Sequence, residues 1–440
     1  MGVRTVVKKV IPKSVFPVIE PYGHMGEGIL YNAISGFPGK GLKVIGVTGT
    51  NGKTSTCFMI HQMLRSAGLK SGLMTTVAYG VNEDIHQQVH HMTSQPMPEL
   101  MRRLKWMKEQ GVDWVVLETT SQGLAQHRTW GVPFSVAVMT NVTHEHIAYH
   151  GTFEKYRDAK RKLFKLANKN RNGLRVGVIN ADDPSAGLFK NDIERAITYG
   201  INSGDLRATD IHQTPTGSEY RAMLVQPKAE PQELRIKCNL PGSFNIENSL
   251  AAAAVGVVIG LSRHQIEQGI ASLKEVEGRM TPIDEGQDFK VIVDYAHTPD
   301  SFEKLFKDMK PMTTGKIIAL FGSLGGGDIT KRPLQGEIAG KYADEVIVCE
   351  EDDRQENPAD IMKDITVGAE RSGKVQDKDL FLVHDRPQAI QFAINRAKTG
   401  DTVLLLGKGH EKTIEHADGE HPWNEIEQAH QALRSRTLVN

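Results

Sequence analysis

The segment VIGVTGTNGKTST at 44–56 constrains this chain more than any other. Val44, Ile45 and Val47 make a short apolar strand, and Thr48 to Gly52 form a glycine-rich turn. Lys53, Thr54, Ser55 and Thr56 then open a helix that continues through Phe58, Met59, Ile60, Met63 and Leu64. Strand, glycine turn and helix N-terminus together make an anion cradle. Backbone N–H groups converge on phosphate oxygens, and the helix dipole favours negative charge there. In such a cradle Lys53 reaches the β- and γ-phosphates and the Thr54 hydroxyl ligates Mg²⁺. The core GTNGKT is intact, although Val47 stands where the general phosphate-loop pattern has its first glycine. The segment predicts a nucleoside triphosphate held by Gly49, Thr50, Asn51, Gly52, Lys53 and Thr54.

The flanking sequence supplies a sheet for that strand. WVVLE (114–118), FSVAVMT (134–140) and RVGVIN (175–180) read as buried strands. Helical stretches lie between them, such as 153–166 with Thr152 as its cap. This alternation predicts an α/β fold with a mainly parallel sheet flanked by helices. Residues 205–240 read as antiparallel edge strands, and 245–259 as an alanine-rich helix. A boundary is predicted near Glu277-Gly278-Arg279, with a second set of strands at 290–296, 316–322, 345–350 and 402–407. The expected division is a short N-terminal segment (1–42), a central ATP-binding domain (43–277) and a Rossmann-like C-terminal domain (278–440). The first segment holds at most one helix, around 26–34, and is too short for a core of its own.

Charge and cysteine usage narrow the function classes. Lysine plus arginine number 53, and so do aspartate plus glutamate, so no net field draws the chain to nucleic acid. No apolar run reaches the length of a transmembrane helix. The basic N-terminus, with Arg4, Lys8, Lys9 and Lys13, lacks a signal-peptide pattern and reads as a solvated tail. Cys57, Cys238 and Cys349 lie far apart, which suits reduced thiols in a cytoplasmic protein better than a disulfide framework or a zinc site. A monomer acting on small molecules is the expectation.

Further residues carry candidate chemistry. Glu118 ends a parallel strand, where α/β sheets bind ligands, and can hold a Mg²⁺ that bridges phosphates. Position alone leaves a surface acid equally open. His144, His146 and His150 cluster with Glu145, but no HExxH or cysteine pattern supports zinc. Composition alone reads Lys160 as a solvent lysine. Asn245 and Asn248 are three apart and share one face of a first helical turn; capping explains one of them. Glycine clusters at 325–327 and in GKGHE (407–411) end strands on the expected cleft side.

Taken in order, TGTNGKT (48–54), ETTSQGLAQHR (118–128), TNVTHEHIAYHG (140–151), YRDAK (156–160), GSFNIENSLAA (242–252), EGRM (277–280), VDYAHTPDS (293–301), KRPL (331–334) and GKGHE (407–411) resemble the Mur ligase family, most closely its MurE branch. The likeness spans about 43–420. It implies an ATP-dependent ligase that adds a diamino acid to a muramoyl-peptide carboxylate through an acyl phosphate. It implies Lys53 on the ATP phosphates and Thr54, Glu118, His146 and Lys160 around two Mg²⁺, with Lys160 carbamylated. Asn245, Asn248, Arg279 and Asp294 match nucleotide contacts. Thr93, Thr120, Arg128, Arg354, Gly407 and Glu411 match substrate contacts. Thr120 replaces a serine of the family and Gln122 a histidine. Where members specific for meso-diaminopimelate carry DNPR, this chain has Glu351-Asp352-Asp353-Arg354, so meso-diaminopimelate and lysine both stay open. Only about 42 residues precede the phosphate-loop strand, so the family's front uridine-nucleotide domain is expected to be missing. Three alternatives follow: a ligase using an acceptor without UDP, a folylpolyglutamate-type ligase, or a non-ligating nucleotide-binding subunit.

Overall fold

A computed structural model describes residues 16–88, 93–145, 147–214, 216–225 and 231–437. The basic tail at the N-terminus and His146 lie outside the described residues. Eleven strands form the larger sheet. They are β1 (Val44–Thr48), β2 (Ser71–Met74), β3 (Ala78–Val81), β4 (Asp84–Gln87), β5 (Trp114–Glu118), β6 (Phe134–Met139), β7 (Val176–Asn180), β8 (Arg195–Gly200), β9 (Leu206–Thr214), β10 (Gly217–Leu224) and β11 (Gln232–Cys238). Their spatial order is β11-β10-β9-β8-β7-β6-β1-β5-β2-β3-β4. The phosphate-loop strand β1 is central, parallel to β5 on one side and β6 on the other. The C-terminal ends of all three therefore open on one edge.

The strands at the centre are apolar throughout because both sheet faces are covered. On one face the Lys53–Ser66, Phe244–Val258 and Arg263–Ser272 helices bury Ile60, Met63, Leu250 and Ile270. On the other, the Met97–Glu109 and Phe153–Lys169 helices bury Leu104, Leu163 and Phe164. The expected antiparallel edge is present as β9, β10 and β11. The hairpins β2-β3-β4 were not anticipated: Thr75, Thr76, Gly80 and Asn82 interrupt the alternating pattern that marks a strand.

The second sheet uses β12 (Thr281–Ile283), β13 (Lys290–Asp294), β14 (Ile317–Phe321), β15 (Glu345–Val348), β16 (Leu380–Leu382) and β17 (Thr402–Leu406). Its order is β12-β13-β17-β14-β15-β16, parallel except for β12. Helices cover both faces over two separate cores. A small hairpin, β18 (Thr413–His416) with β19 (Gly419–Pro422), follows β17. Among the described residues no helix is long and apolar enough to cross a membrane.

The N-terminal helix is longer than its sequence suggests. It runs Phe16–Ile34 with Pro21 inside, where a proline reads as a breaker. Tertiary contacts override the propensity: Gln126 donates to Glu20 at 3.0 Å and Asn32 to the Trp130 carbonyl at 3.2 Å. A Cβ on Gly28 would come within 3.0 Å of the Trp130 Cβ, so glycine permits that approach.

His61, 2% exposed on the Lys53–Ser66 helix, makes stability depend on pH. Its Nε2 donates to the Asn82 carbonyl at 3.1 Å and its Nδ1 accepts from the Ser71 hydroxyl at 2.8 Å. Burial lowers its pKa from 6.5 to about 4. The unfolded chain takes up the proton as pH falls below 6.5, and the folded chain does so only near 4, so stability is lost across that window. Urea denaturation should show a loss of about 2 kcal/mol between pH 7 and pH 4.5 from this group. His61→Gln should show less acid sensitivity by that amount; equal sensitivity would contradict the assignment.

Candidate functional site

The turn after β1 is shaped by close packing. A Cβ on Gly49 would lie 1.8 Å from the Thr140 hydroxyl. Gly52 has φ +80°, and a Cβ there would lie 2.1 Å from Asn248 Oδ1. The end of β6 and the residues after it hold the turn from outside. Thr50 N donates to the Asn141 carbonyl at 2.8 Å, Asn51 N to Asn141 Oδ1 at 2.9 Å, and Thr140 Oγ1 to the Asn51 carbonyl at 2.6 Å. Lys53 Nζ donates to the Thr50 carbonyl at 2.7 Å. Gly52 is the helix N-cap, so no side chain caps the helix N-terminus. The leading N–H groups are left for an anion.

Beside this cradle stands Glu118, 2% exposed. Thr54 Oγ1 donates to its Oε2 at 3.0 Å, as does Thr76 N at 3.0 Å, and Thr76 Oγ1 donates to Oε1 at 3.1 Å. It makes no ion pair among the described residues. The surface-acid alternative is thereby excluded. A buried carboxylate held by hydroxyl and N–H donors, with no ion pair among the described residues, suits a hard divalent ion. Among the described residues no three His, Cys, Asp or Glu side chains can hold a metal on their own. An ion at Glu118 and Thr54 would also take oxygens from water and phosphate, which is how magnesium is usually held.

Lys160 is not a solvent lysine. It is 2% exposed, donates to the Gly49 carbonyl at 2.5 Å and lies 4.4 Å from the centre of the Tyr156 ring. Burial first, and the Lys53 charge second, hold its amine well below the ordinary lysine range. Of the histidines, His150 is buried with its Nε2 3.1 Å from the Ser121 hydroxyl, and His144 packs on Phe153. Glu145 Oε1 lies 3.3 Å from His297 Nε2.

Asn248 reaches the cradle at Gly52, and Asn245 is bonded to it from the same face of the helix. Asn248 Nδ2 donates to Asn245 Oδ1 at 2.9 Å, and Asn245 Nδ2 to the Pro241 carbonyl at 2.7 Å. The expectation that one of them caps the helix is corrected. Ser243 is the N-cap and makes no capping bond, because its hydroxyl donates to Asp308 at 3.0 Å instead.

The second module reaches the cradle at several points. Asn51 Nδ2 donates to Asp300 at 2.7 Å, and Arg279 Nη2 to Thr54 Oγ1 at 3.3 Å. The Arg279 guanidinium stacks 4.5 Å from the Tyr295 ring centre, and Tyr295 donates to Glu411 at 3.3 Å. Glu411 pairs with the fully buried Lys408 at 2.6 Å, and Lys408 with Asp352 at 2.8 Å. Asp294 accepts from Met280 N and Ala296 N, both at 2.7 Å, so its carboxylate braces the backbone that carries Arg279. Gly407 has φ +101°, and a Cβ there would lie 2.3 Å from Glu351 Oε2. Arg354 turns to Glu415, with Nε 2.9 Å from Oε2.

On the sheet edge, Thr93, Glu118, Arg103 and Arg128 line one narrow cavity. Thr120 accepts from Gly123 N at 2.9 Å and meets Ser94 Oγ at 2.9 Å, and Arg128 Nη1 donates to the Ser94 carbonyl at 3.3 Å. Thr93, Thr120 and Arg128 thus gather around Glu118, whereas Arg354, Gly407 and Glu411 gather around Lys408 and Asp352. Two functional-site residues escaped the sequence reading. Thr76 was signalled only by a hydroxyl pair after β2, and Lys408 by its place inside GKGHE.

Fold and site define a class: an α/β phosphate-loop protein with a buried acid and a buried amine at the cradle, faced by a second α/β module. Residues 47–256 match the Mur ligase middle domain and residues 278–409 the Mur ligase, glutamate ligase domain. The chain is 39% identical over 426 residues to UDP-N-acetylmuramyl-tripeptide synthetase of Roseiflexus sp. (strain RS-1), covering 94% of this chain and 82% of that one. It is 38% identical over 414 residues to UDP-N-acetylmuramoyl-L-alanyl-D-glutamate–2,6-diaminopimelate ligase of Geobacillus thermodenitrificans (strain NG80-2), covering 93% and 82%. A solved structure of a UDP-N-acetylmuramoyl-L-alanyl-D-glutamate–2,6-diaminopimelate ligase superposes with TM-score 0.60 at 30% identity over 90% of this chain and 79% of that one. Mycobacterium tuberculosis folylpolyglutamate synthase complexed with ADP shares the fold, with TM-score 0.71 at 15% identity over 94% of each chain. The chain belongs to the Mur ligase family, and within it to the ATP-dependent, amide-forming ligases of the MurE type.

Proposed function

We propose that this ligase adds a diamino acid to the free carboxylate of a UDP-N-acetylmuramoyl dipeptide, in peptidoglycan precursor synthesis. The observation that carries the reading is the buried Glu118, which has no ion pair among the described residues, set beside Lys53, Thr54 and Lys160 at an uncapped helix N-terminus. Gly49 to Thr54 hold the ATP phosphates, Asn245 and Asn248 flank the nucleotide, and Arg279, braced by Asp294, closes over it. Thr54, Glu118, His146 and a carbamate on Lys160 would hold two Mg²⁺, which would supply neutralisation of charge on the phosphoryl oxygens. A neutral lysine amine adds to CO₂, forming an N–C bond and releasing one proton, and the depressed amine of Lys160 favours that form.

The acceptor carboxylate attacks the γ-phosphorus, the bond to the ADP oxygen breaks, and an acyl phosphate forms. Lys53 stabilises charge spread over the transferred group. The incoming amine then attacks the acyl carbon, phosphate leaves with one former carboxylate oxygen, and the amine loses a proton. Thr93, Thr120 and Arg128 orient the acceptor. Arg354, Gly407 and Glu411 orient the amino acid. The second module, residues 278–440, excludes water from the acyl phosphate as it closes on the module of residues 43–277. Two sheets with separate cores support that division. Three free, buried cysteines suit a reducing compartment such as the cytoplasm.

The test is ATP-dependent phosphate release with UDP-N-acetylmuramoyl-L-Ala-D-Glu and, in turn, meso-diaminopimelate, L-lysine and L-ornithine, with mass spectrometry of the product. A product heavier by one diamino acid residue is expected. ATP-binding protein that yields no product with any of the three amines would contradict the reading.

A further inference from the structure

Thr76 has a place in the site that the assigned roles leave unused. It sits at the tip of the turn between β2 and β3. That turn is pinned by Thr75 N to the Ala78 carbonyl at 2.8 Å and Ala78 N to Thr75 Oγ1 at 3.0 Å. From this tip Thr76 makes two bonds to Glu118, one from its backbone N–H and one from its hydroxyl. The same hydroxyl lies 2.6 Å from Thr93 Oγ1. A threonine hydroxyl has one proton. If that proton goes to Glu118, the proton in the short contact must come from Thr93. The reverse order would set the Thr76 oxygen against a carboxylate oxygen at 3.1 Å with no proton between them. The bonds therefore run in one direction, from Thr93 to Thr76 to Glu118.

Both ends of this relay border the candidate site. Thr93 and Glu118 line the same narrow cavity as Arg128, whose guanidinium suits an anionic group at Thr93; Arg103 lines it too, with its Nε paired to Glu99 at 2.5 Å. An anion that reaches the Thr93 hydroxyl competes for its proton. Hydrogen bonds in a chain polarise one another, so turning Thr93 away weakens the bond that Thr76 gives to Glu118. The carboxylate then carries more negative charge for a cation beside Thr54.

We propose that Thr76 is a positioning residue that couples the acceptor loop at Thr93 to Glu118, so that acceptor and magnesium–nucleotide strengthen each other's binding. The proposal rests on the functional reading above, because it takes the anionic acceptor to enter at Thr93. Coupling of this kind is reciprocal, and either ligand can be titrated against the other.

The experiment titrates the magnesium complex of a non-hydrolysable ATP analogue by calorimetry, with and without saturating UDP-N-acetylmuramoyl-L-Ala-D-Glu. No turnover is involved. Wild type should bind the analogue about five-fold more tightly with the acceptor present. Thr76→Val keeps the backbone bond to Glu118 and the pinned turn but removes the relay, and should lose most of that ratio. Thr76→Ser restores a hydroxyl and should recover it. Melting curves confirm that each variant is folded. A Thr76→Val ratio equal to wild type would overturn the proposal, and so would a wild-type ratio of one from protein that binds both ligands. Wild type that binds the nucleotide but not the acceptor would instead overturn the functional reading, and the proposal with it.

Discussion

Replacing Lys53 by alanine should lower the ligation rate roughly a thousand-fold while leaving the protein folded. In the described structure its amine donates to the Thr50 carbonyl at 2.7 Å within its own turn. Loss of one such bond costs about 1 kcal/mol, which the two cores can absorb. The catalytic cost is larger because charge on the transferred phosphoryl group is met in a site screened from water. The Gly49–Gly52 turn itself should survive, since Asn141 and Thr140 hold it independently of the lysine. Steady-state phosphate release alongside a thermal melt checks both halves. A variant within ten-fold of wild type would remove Lys53 from the chemistry.

Replacing Lys160 by alanine should also cost roughly a hundred-fold or more in rate, for a different reason. This amine is buried at the Gly49 carbonyl, and burial together with Lys53 disfavours its charge. A neutral amine there is of little use as a cation and is suited to carbamate formation. Lys160→Ala should therefore recover part of its activity with added formate or acetate, which can enter the vacated space as carboxylates. Lys53→Ala should show no such recovery, because it lacks a cation and not an anion. Full activity of Lys160→Ala would remove the residue from the mechanism, and loss without any rescue would remove the carbamate.

The contrast between these two lysines shows what the sequence can convey. Lys53 is legible because a strand, a glycine turn and a helix start fix its surroundings locally. Lys160 reads by composition as a solvent residue, yet it lies in register with Tyr156, Ala159, Leu163, Phe164 and Ala167, all buried on one face of the same helix. Helical periodicity could have placed it; only the resemblance did. The parallel strands and both sheets follow from uninterrupted apolar runs. The β2-β3-β4 hairpins and the helix across Pro21 do not, because turn residues and a proline obscure them until tertiary contacts decide. Thr76 escapes for a similar reason: its importance lies in meeting Glu118 and Thr93, which are distant in sequence. Arg354 was expected from the resemblance at the substrate, and its guanidinium is here paired with Glu415, a contact no local pattern announces.

The central claim is ligation through an acyl phosphate formed on the acceptor. It is tested most directly by supplying a muramoyl dipeptide whose acceptor carboxylate is labelled with ¹⁸O, together with ATP and the productive diamino acid. The mass of the released phosphate is then measured. Transfer of one labelled oxygen to phosphate for each amide formed is the predicted result. Unlabelled phosphate accompanying product would show that the carboxylate oxygen never joined phosphorus, and would contradict the account.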